Sequence, residues 1–150
     1  MSMGGGNPQL QEIAEQIEQL ESIKEAIEGE IEGLQQEKQD IDEAIDAIDH
    51  LESNATVQVP VGGGAYVRAE IQDIDEIIVD IGAEYAAEHD QEGAIETLES
   101  KQDTLDDRIE ELRSEIAEVE SESQQLEQRA QQLQQQQLQQ LQQQQQEQDE

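Results

Sequence analysis

The sequence predicts an α+β chain in which two long helical arms form an antiparallel coiled-coil hairpin with two β-hairpins between them. Three observations carry this prediction. Apolar residues recur with a seven-residue period over residues 10–52 and again over 95–140. The stretch between them changes to short runs rich in Val and Ile, punctuated by glycine. The chain has no Phe, no Trp and only two Tyr, Tyr66 and Tyr85. Large aromatics dominate burial in a compact core, so a chain without them must bury small aliphatic side chains along an extended seam.

Residues 1–8 are rich in glycine and lack the basic and apolar regions of a secretory signal, so they read as a disordered lead. The first arm covers residues 9–53. With Leu10 as an a position, the d positions are Ile13, Leu20, Ile27, Leu34, Ile41 and Ile48, an unbroken apolar series. The a positions are Leu10, Ile17, Lys24, Ile31, Lys38, Ile45 and Glu52. A 3.5-residue repeat sustained this far keeps one stripe turned toward a partner helix. Gly29 and Gly33 fall on outer positions among Glu28, Glu30 and Glu32, so they face solvent and do not form a membrane-type helix contact.

Residues 54–92 hold the two hairpins. Thr56–Val61 reads as a strand with Pro60 confining it to an edge, Gly62-Gly63-Gly64 as a tight turn, and Ala65–Ile71 as the return strand. Asp73–Glu76 is a second turn, Ile77–Ile81 a third strand and Glu84–Glu88 a fourth. A lone two-stranded hairpin is marginal in water and leaves its edges open. Val57, Val59, Val61, Tyr66, Val67, Ile71, Ile77, Ile78, Val79 and Ile81 are therefore expected to join a sheet shared between subunits.

The second arm covers residues 93–141. Its d positions are Leu98, Leu105, Leu112, Val119, Leu126 and Leu133, and its a positions run Ile95, Gln102, Ile109, Ile116, Ser123, Ala130 and Gln137. Two arms of similar length on either side of a compact centre predict the antiparallel hairpin, with a register open by one heptad. Every base in the arms lies on the seam or beside it: Lys24 and Lys38 at a, and Lys101, Arg108, Arg113 and Arg129 at e or g. There each is expected to meet an acid of the facing helix and help set register. After Leu133 the seam passes to Gln137 and Gln140, while Leu138 and Leu141 lie one residue off it, a stutter that unwinds a coiled coil locally. Residues 142–150, Gln-rich and acidic, read as a disordered tail.

Charge narrows the function. There are 39 acids against 7 bases, a net charge of −32, spread over both arms and the centre. Such a surface repels phosphate backbones and anionic lipid, which argues against nucleic-acid and membrane partners. It disperses the protein but strains the fold by self-repulsion, which concentrated salt screens. A salt-rich cytoplasm of the halophilic archaeal kind is the expected setting. With no Cys, neither disulfides nor thiolate metal sites can form. No apolar run approaches the roughly 18 residues of a membrane span.

No catalytic constellation is legible. Gly62-Gly63-Gly64 lacks the Lys and Ser or Thr of a phosphate loop. Asp40, Asp42, Asp46, Asp49 and His50 lack the Gly and Glu that complete a calcium loop, and a solvated face accounts for them. A non-enzymatic chain without cofactor is expected.

The segments Val57–Ile71 and Ile78–Glu88, followed by the return into helix at Ala94–Leu98, resemble the hairpins of archaeal prefoldin subunits of the alpha type, which carry four strands where the beta type carries two. The resemblance spans roughly residues 9–133 and is specific in the hairpins. It implies a hexamer of two alpha and four beta subunits, whose hairpins build a β-barrel platform from which the coiled coils hang. It also implies an ATP-independent chaperone that holds unfolded clients at the arm tips and delivers them to a group II chaperonin. The tips contain Leu10, Ile13, Ile17 and Leu20 on the first arm and Leu126, Leu133, Leu138 and Leu141 on the second, and these are the expected client contacts. The alternative is a coiled-coil scaffold or tether without chaperone activity, which shares the heptads but gives no reason for two central hairpins.

Overall fold

The structure is a computed structural model and describes residues 7–148. Most of the expected lead lies outside the described residues. Its last two residues form a helix start. Asn7 accepts the amide of Gln9 on its side-chain Oδ1 at 3.0 Å and that of Leu10 on its carbonyl at 3.0 Å, and Pro8 occupies the first helical position, where no amide is needed.

The order of elements is helix α1 (Pro8–His50), strands β1 (Thr56–Gly62), β2 (Ala65–Glu70), β3 (Ile77–Gly82) and β4 (Tyr85–His89), and helix α2 (Gln91–Gln148). The strands lie within one or two residues of their expected bounds and form two separate antiparallel pairs, β1 with β2 and β3 with β4. Asp90 caps α2, its Oδ1 accepting the amide of Gly93 at 2.7 Å and its carbonyl that of Ala94 at 2.8 Å. α2 runs past the expected boundary at 141 to Gln148. Low complexity is no bar to helix here: Gln is a good helix former with an unbranched side chain, and the run contains neither Gly nor Pro.

The described chain divides into two compact units, one formed by the chain up to Glu32 and from Glu110 on, the other by Gly33–Ile109. In the first unit the covered side chains of both helices are those of the heptad seam. Ile13, Ile27, Ile31 and Leu112 are buried, and Leu112 is fully enclosed at 0% exposure. Lys24 reaches across the seam to Glu120 at 3.1 Å.

In the second unit, Lys38 pairs with Asp106, and Gln102 donates to the Lys38 carbonyl at 3.1 Å and to Asp42 Oδ1 at 2.6 Å. The two cross-helix ion pairs are separated by two heptads on either helix, so each unit by itself selects the same register. Here a-position lysines meet e-position acids, as expected. Lys101 does otherwise: its ammonium donates to the backbone carbonyl of Asp80 in β3 at 2.8 Å.

The core of the second unit joins sheet to helices. Ile41, Val79, Ala94 and Leu98 are buried together, with Ala44, Ile45, Ile48, Ile77 and Leu105 packed against them. Gln91 ties α1 to α2 by donating to the carbonyls of Ile48 at 2.7 Å and Leu51 at 3.2 Å. These carbonyls lie at and just beyond the end of α1, where the regular ladder stops; that of Ile48 also accepts the Leu51 amide at 3.3 Å.

Candidate protein-binding surfaces

The two hairpins share one construction. In each, a register shift precedes the turn, between Pro60 and Gly62 in the first and between Asp80 and Gly82 in the second. Each then turns over two residues with positive φ, Gly63 (60°) and Gly64 (80°) in the first, Ala83 (51°) and Glu84 (66°) in the second. This is the turn whose twist matches the right-handed twist of paired strands.

Their side chains are placed differently. Of the residues expected to meet other subunits, Val59, Val61, Tyr66, Val67, Ile78 and Ile81 are exposed, Ile78 most of all at 75%. Val57, Ile71 and Ile77 are half-buried. Val79 is buried at 5% exposure in the chain's own core. The cause is the strand period of two: Ile77 and Val79 face the helices, so Ile78 between them must face away. A run apolar on both faces marks a strand meant to be covered on both. Tyr85, read only as part of the fourth strand, is 71% exposed and extends this apolar surface. Its sequence neighbours Ala86 and Ala87 gave the position little apolar weight.

At the other end of the helices, Leu10, Ile17, Leu20, Leu126 and Leu133 are half-buried in the seam and Ile13 is buried at 6% exposure, because all six occupy a or d positions. Leu138 and Leu141 are exposed at 60% and 56%. They lie one residue off the seam, in a stretch, 138–148, in which every residue is exposed. Leu20 and Leu126 also line a surface groove with Gln19, Ile23 and Arg129. Ile23, 48% exposed, was missed by the heptad reading because it sits at g, where an apolar residue is not part of the seam. Glu120 raises the pKa of Lys24 above 10.5, first through its hydrogen bond and then through its charge, so this seam lysine stays ionised.

Among the described residues no group of three or more His, Cys, Asp or Glu is placed to hold a metal ion. Nor, among the described residues, is any helix long and apolar enough to cross a membrane.

The comparisons agree with this layout. Residues 7–147 match the family model described as prefoldin subunit. Prefoldin subunit alpha of Halorubrum lacusprofundi is 58% identical over 101 residues, covering 67% of this chain and 66% of that protein. Prefoldin subunit alpha of Haloarcula marismortui is 57% identical over 95 residues, covering 63% of this chain and 62% of that protein. The chain thus spans a little under two thirds of the length of these relatives. A cryo-EM structure of filamentous PFD from Methanocaldococcus jannaschii superimposes with a TM-score of 0.53 at 26% identity, over 81% of this chain and 97% of that one. With four strands in two hairpins between two heptad-patterned helices, the chain belongs to the prefoldin subunit family, among relatives that are alpha subunits of halophilic archaea.

Proposed function

We propose that the chain is the alpha-type subunit of an ATP-independent holding chaperone of the cytoplasm, which joins beta-type subunits in a hexamer of two alpha and four beta chains, captures unfolded proteins at its arm ends and passes them to a group II chaperonin. The observation that carries this reading is the grouping of exposed apolar side chains. One set, Val59, Val61, Tyr66, Val67, Ile78 and Tyr85, lies on the hairpins, and another, Leu138 and Leu141, lies near the far end of α2. Apolar surface left open on sheets too small to be stable alone calls for other subunits. Apolar surface at an arm end, set among uncharged glutamines, suits weak and unselective contact with unfolded chains. The relatives' family supports the same reading.

The test is dilution of a chemically denatured model protein into molar salt, without nucleotide, in the presence of this chain and a beta-type subunit. Suppressed aggregation together with a hexamer mass by light scattering supports the proposal. A well-assembled complex that leaves aggregation unchanged overturns it in favour of a scaffold. Removing the residues beyond 125 is expected to abolish holding and spare assembly.

A further inference from the structure

The last part of α2 carries a second seam that, among the described residues, nothing in its own unit covers. Counting sixteen residues back from Lys24 and sixteen forward from its partner Glu120 places Pro8, the first residue of α1, beside Gln136. The burial follows this count. Leu126, Ala130, Leu133 and Gln137 are half-buried, and every residue over 138–148 is exposed. The helix nevertheless continues through this overhang. Across it and the turns just before it, Gln131, Gln134, Leu138, Leu141, Gln145 and Gln148 follow the three-and-four spacing of a coiled-coil stripe. That stripe is offset by one residue, about 100°, from the stripe that faces α1, so it is turned away from α1.

Charge identifies the occupant. The chain carries −32 overall, yet between Arg129 and Glu147 no residue is charged, the longest such run in either helix. Two copies of this chain repel each other over nearly all their helical surface, but not here. The segment 134–145 also reads the same in both directions, QQQQLQQLQQQQ. An antiparallel pair related by a two-fold axis between Gln139 and Gln140 sets Leu138 against Leu141 of the second copy. The same axis sets Gln134 against Gln145 and Gln131 against Gln148. Each amide has donors and an acceptor to offer its counterpart. Antiparallel pairing opposes the helix dipoles and brings Glu147 within about one turn of Arg129 of the other copy, whereas parallel pairing sets the two negative helix ends and both Glu147 side by side.

We propose that this end of α2 docks on the same segment of a second copy of the chain, antiparallel and two-fold symmetric. The stripe is about 26 Å long, so the contact is small and gains its force by joining assemblies that present several such ends. It stands independently of the holding function, although a docked end hides Leu138 and Leu141 from clients.

The absence of cysteine makes the test direct. Full-length Gln131→Cys and Gln148→Cys variants are oxidised mildly in molar salt, separately and mixed. In the antiparallel pair each cysteine is about 26 Å along the axis from its own copy but opposite the other variant's, and a disulfide needs Cα atoms within about 7 Å. A cross-linked dimer is expected in the mixture and in neither variant alone. Placing Leu138→Glu and Leu141→Glu in both chains is expected to cut its yield at least about tenfold. Both leucines are exposed, so circular dichroism should show the helix intact. Cross-linking of each variant with itself, no cross-link in the mixture, or a yield indifferent to the glutamates overturns the proposal.

Discussion

The two hairpins have the same strand pairing, the same shift before the turn and the same left-handed turn, yet they are held by different means. In the first, β1–β2, no residue is buried, and the turn residues are Gly63 and Gly64, for which positive φ carries no steric penalty. In the second, β3–β4, the turn forces Ala83 and Glu84 into a conformation that costs L-residues roughly 1–2 kcal/mol each. That hairpin is anchored: Val79 is buried, Lys101 donates to the Asp80 carbonyl, and Asp75 Oδ1 accepts the Gln91 amide at 3.3 Å. An anchored strand pair tolerates a strained turn. A free one needs a relaxed turn, and its apolar side chains Val59, Val61, Tyr66 and Val67 stay exposed. The comparison teaches that the chain fixes one hairpin by buried contacts of its own and leaves the other without them.

The largest test is to remove the internal anchor. Val79→Ala deletes two methyl groups from the core and is expected to cost the isolated chain about 2–3 kcal/mol. Val59→Ala, on the exposed first hairpin, is expected to change stability by less than about 0.5 kcal/mol. Denaturant titration in molar salt reads both. Equal losses would show that the hairpins are held alike.

Exchanging turn residues comes next. A Cβ built on Gly63 or Gly64 meets no atom within 4 Å, so the cost of Gly63→Ala with Gly64→Glu is conformational alone, about 2 kcal/mol for the hairpin. The reverse change, Ala83→Gly with Glu84→Gly, relieves strain but loosens the unfolded chain, for a net gain of about 1 kcal/mol or less. Because the first hairpin has no buried anchor, amide hydrogen exchange should show the first change opening β1–β2 alone, with β3–β4 still protected. Opening of both would mean that the hairpins are coupled.

Smaller still is Lys101→Met. It keeps the aliphatic stem and removes the donor to the Asp80 carbonyl, and it is expected to cost about 0.5–1 kcal/mol, since that carbonyl can turn to water. Faster exchange confined to β3 and the Ala83–Glu84 turn is the expected signature. Equally fast exchange in β1 would mean that the contact is not local to the second hairpin.

What the sequence disclosed follows from how strongly pattern constrains position. Seven-residue spacing named the seam residues that the structure covers, including Lys24 and Lys38, because a helix leaves no freedom in which side a residue faces. The strands were legible from Val and Ile runs and from Gly62–Gly64. The depth of Val79 was not legible, because Ile77-Ile78-Val79 is apolar on both faces and the sequence does not say which face the chain covers itself. The bond from Lys101 was missed for a similar reason: heptad position g points beside the seam, and whether an acid or a strand carbonyl waits there depends on the packing of β3. Low complexity concealed the extent of α2, where glutamine is as compatible with helix as with disorder.

The smallest expected effect concerns the entry to the free hairpin. His50, the last residue of α1, donates from Nδ1 to the Asp46 carbonyl at 2.7 Å and lies 3.6 Å from the Asp46 carboxylate. The hydrogen bond first, and then the charge of Asp46, raise its pKa above the ordinary 6.5. A histidine whose folded pKa exceeds its unfolded value stabilises the fold fully below 6.5, and that contribution is lost as pH rises through the raised value. The positive ring also complements the negative end of the helix dipole. A proton NMR titration should place His50 above 6.5, and His50→Gln should abolish any loosening of the α1 end and of Leu51–Ala55 on raising the pH to 8. The same titration should leave exchange at Val79 unmoved, because its anchor is apolar. A His50 pKa at or below 6.5 would refute this account of the helix end, and parallel changes at Val79 would show that the two hairpins do not respond separately.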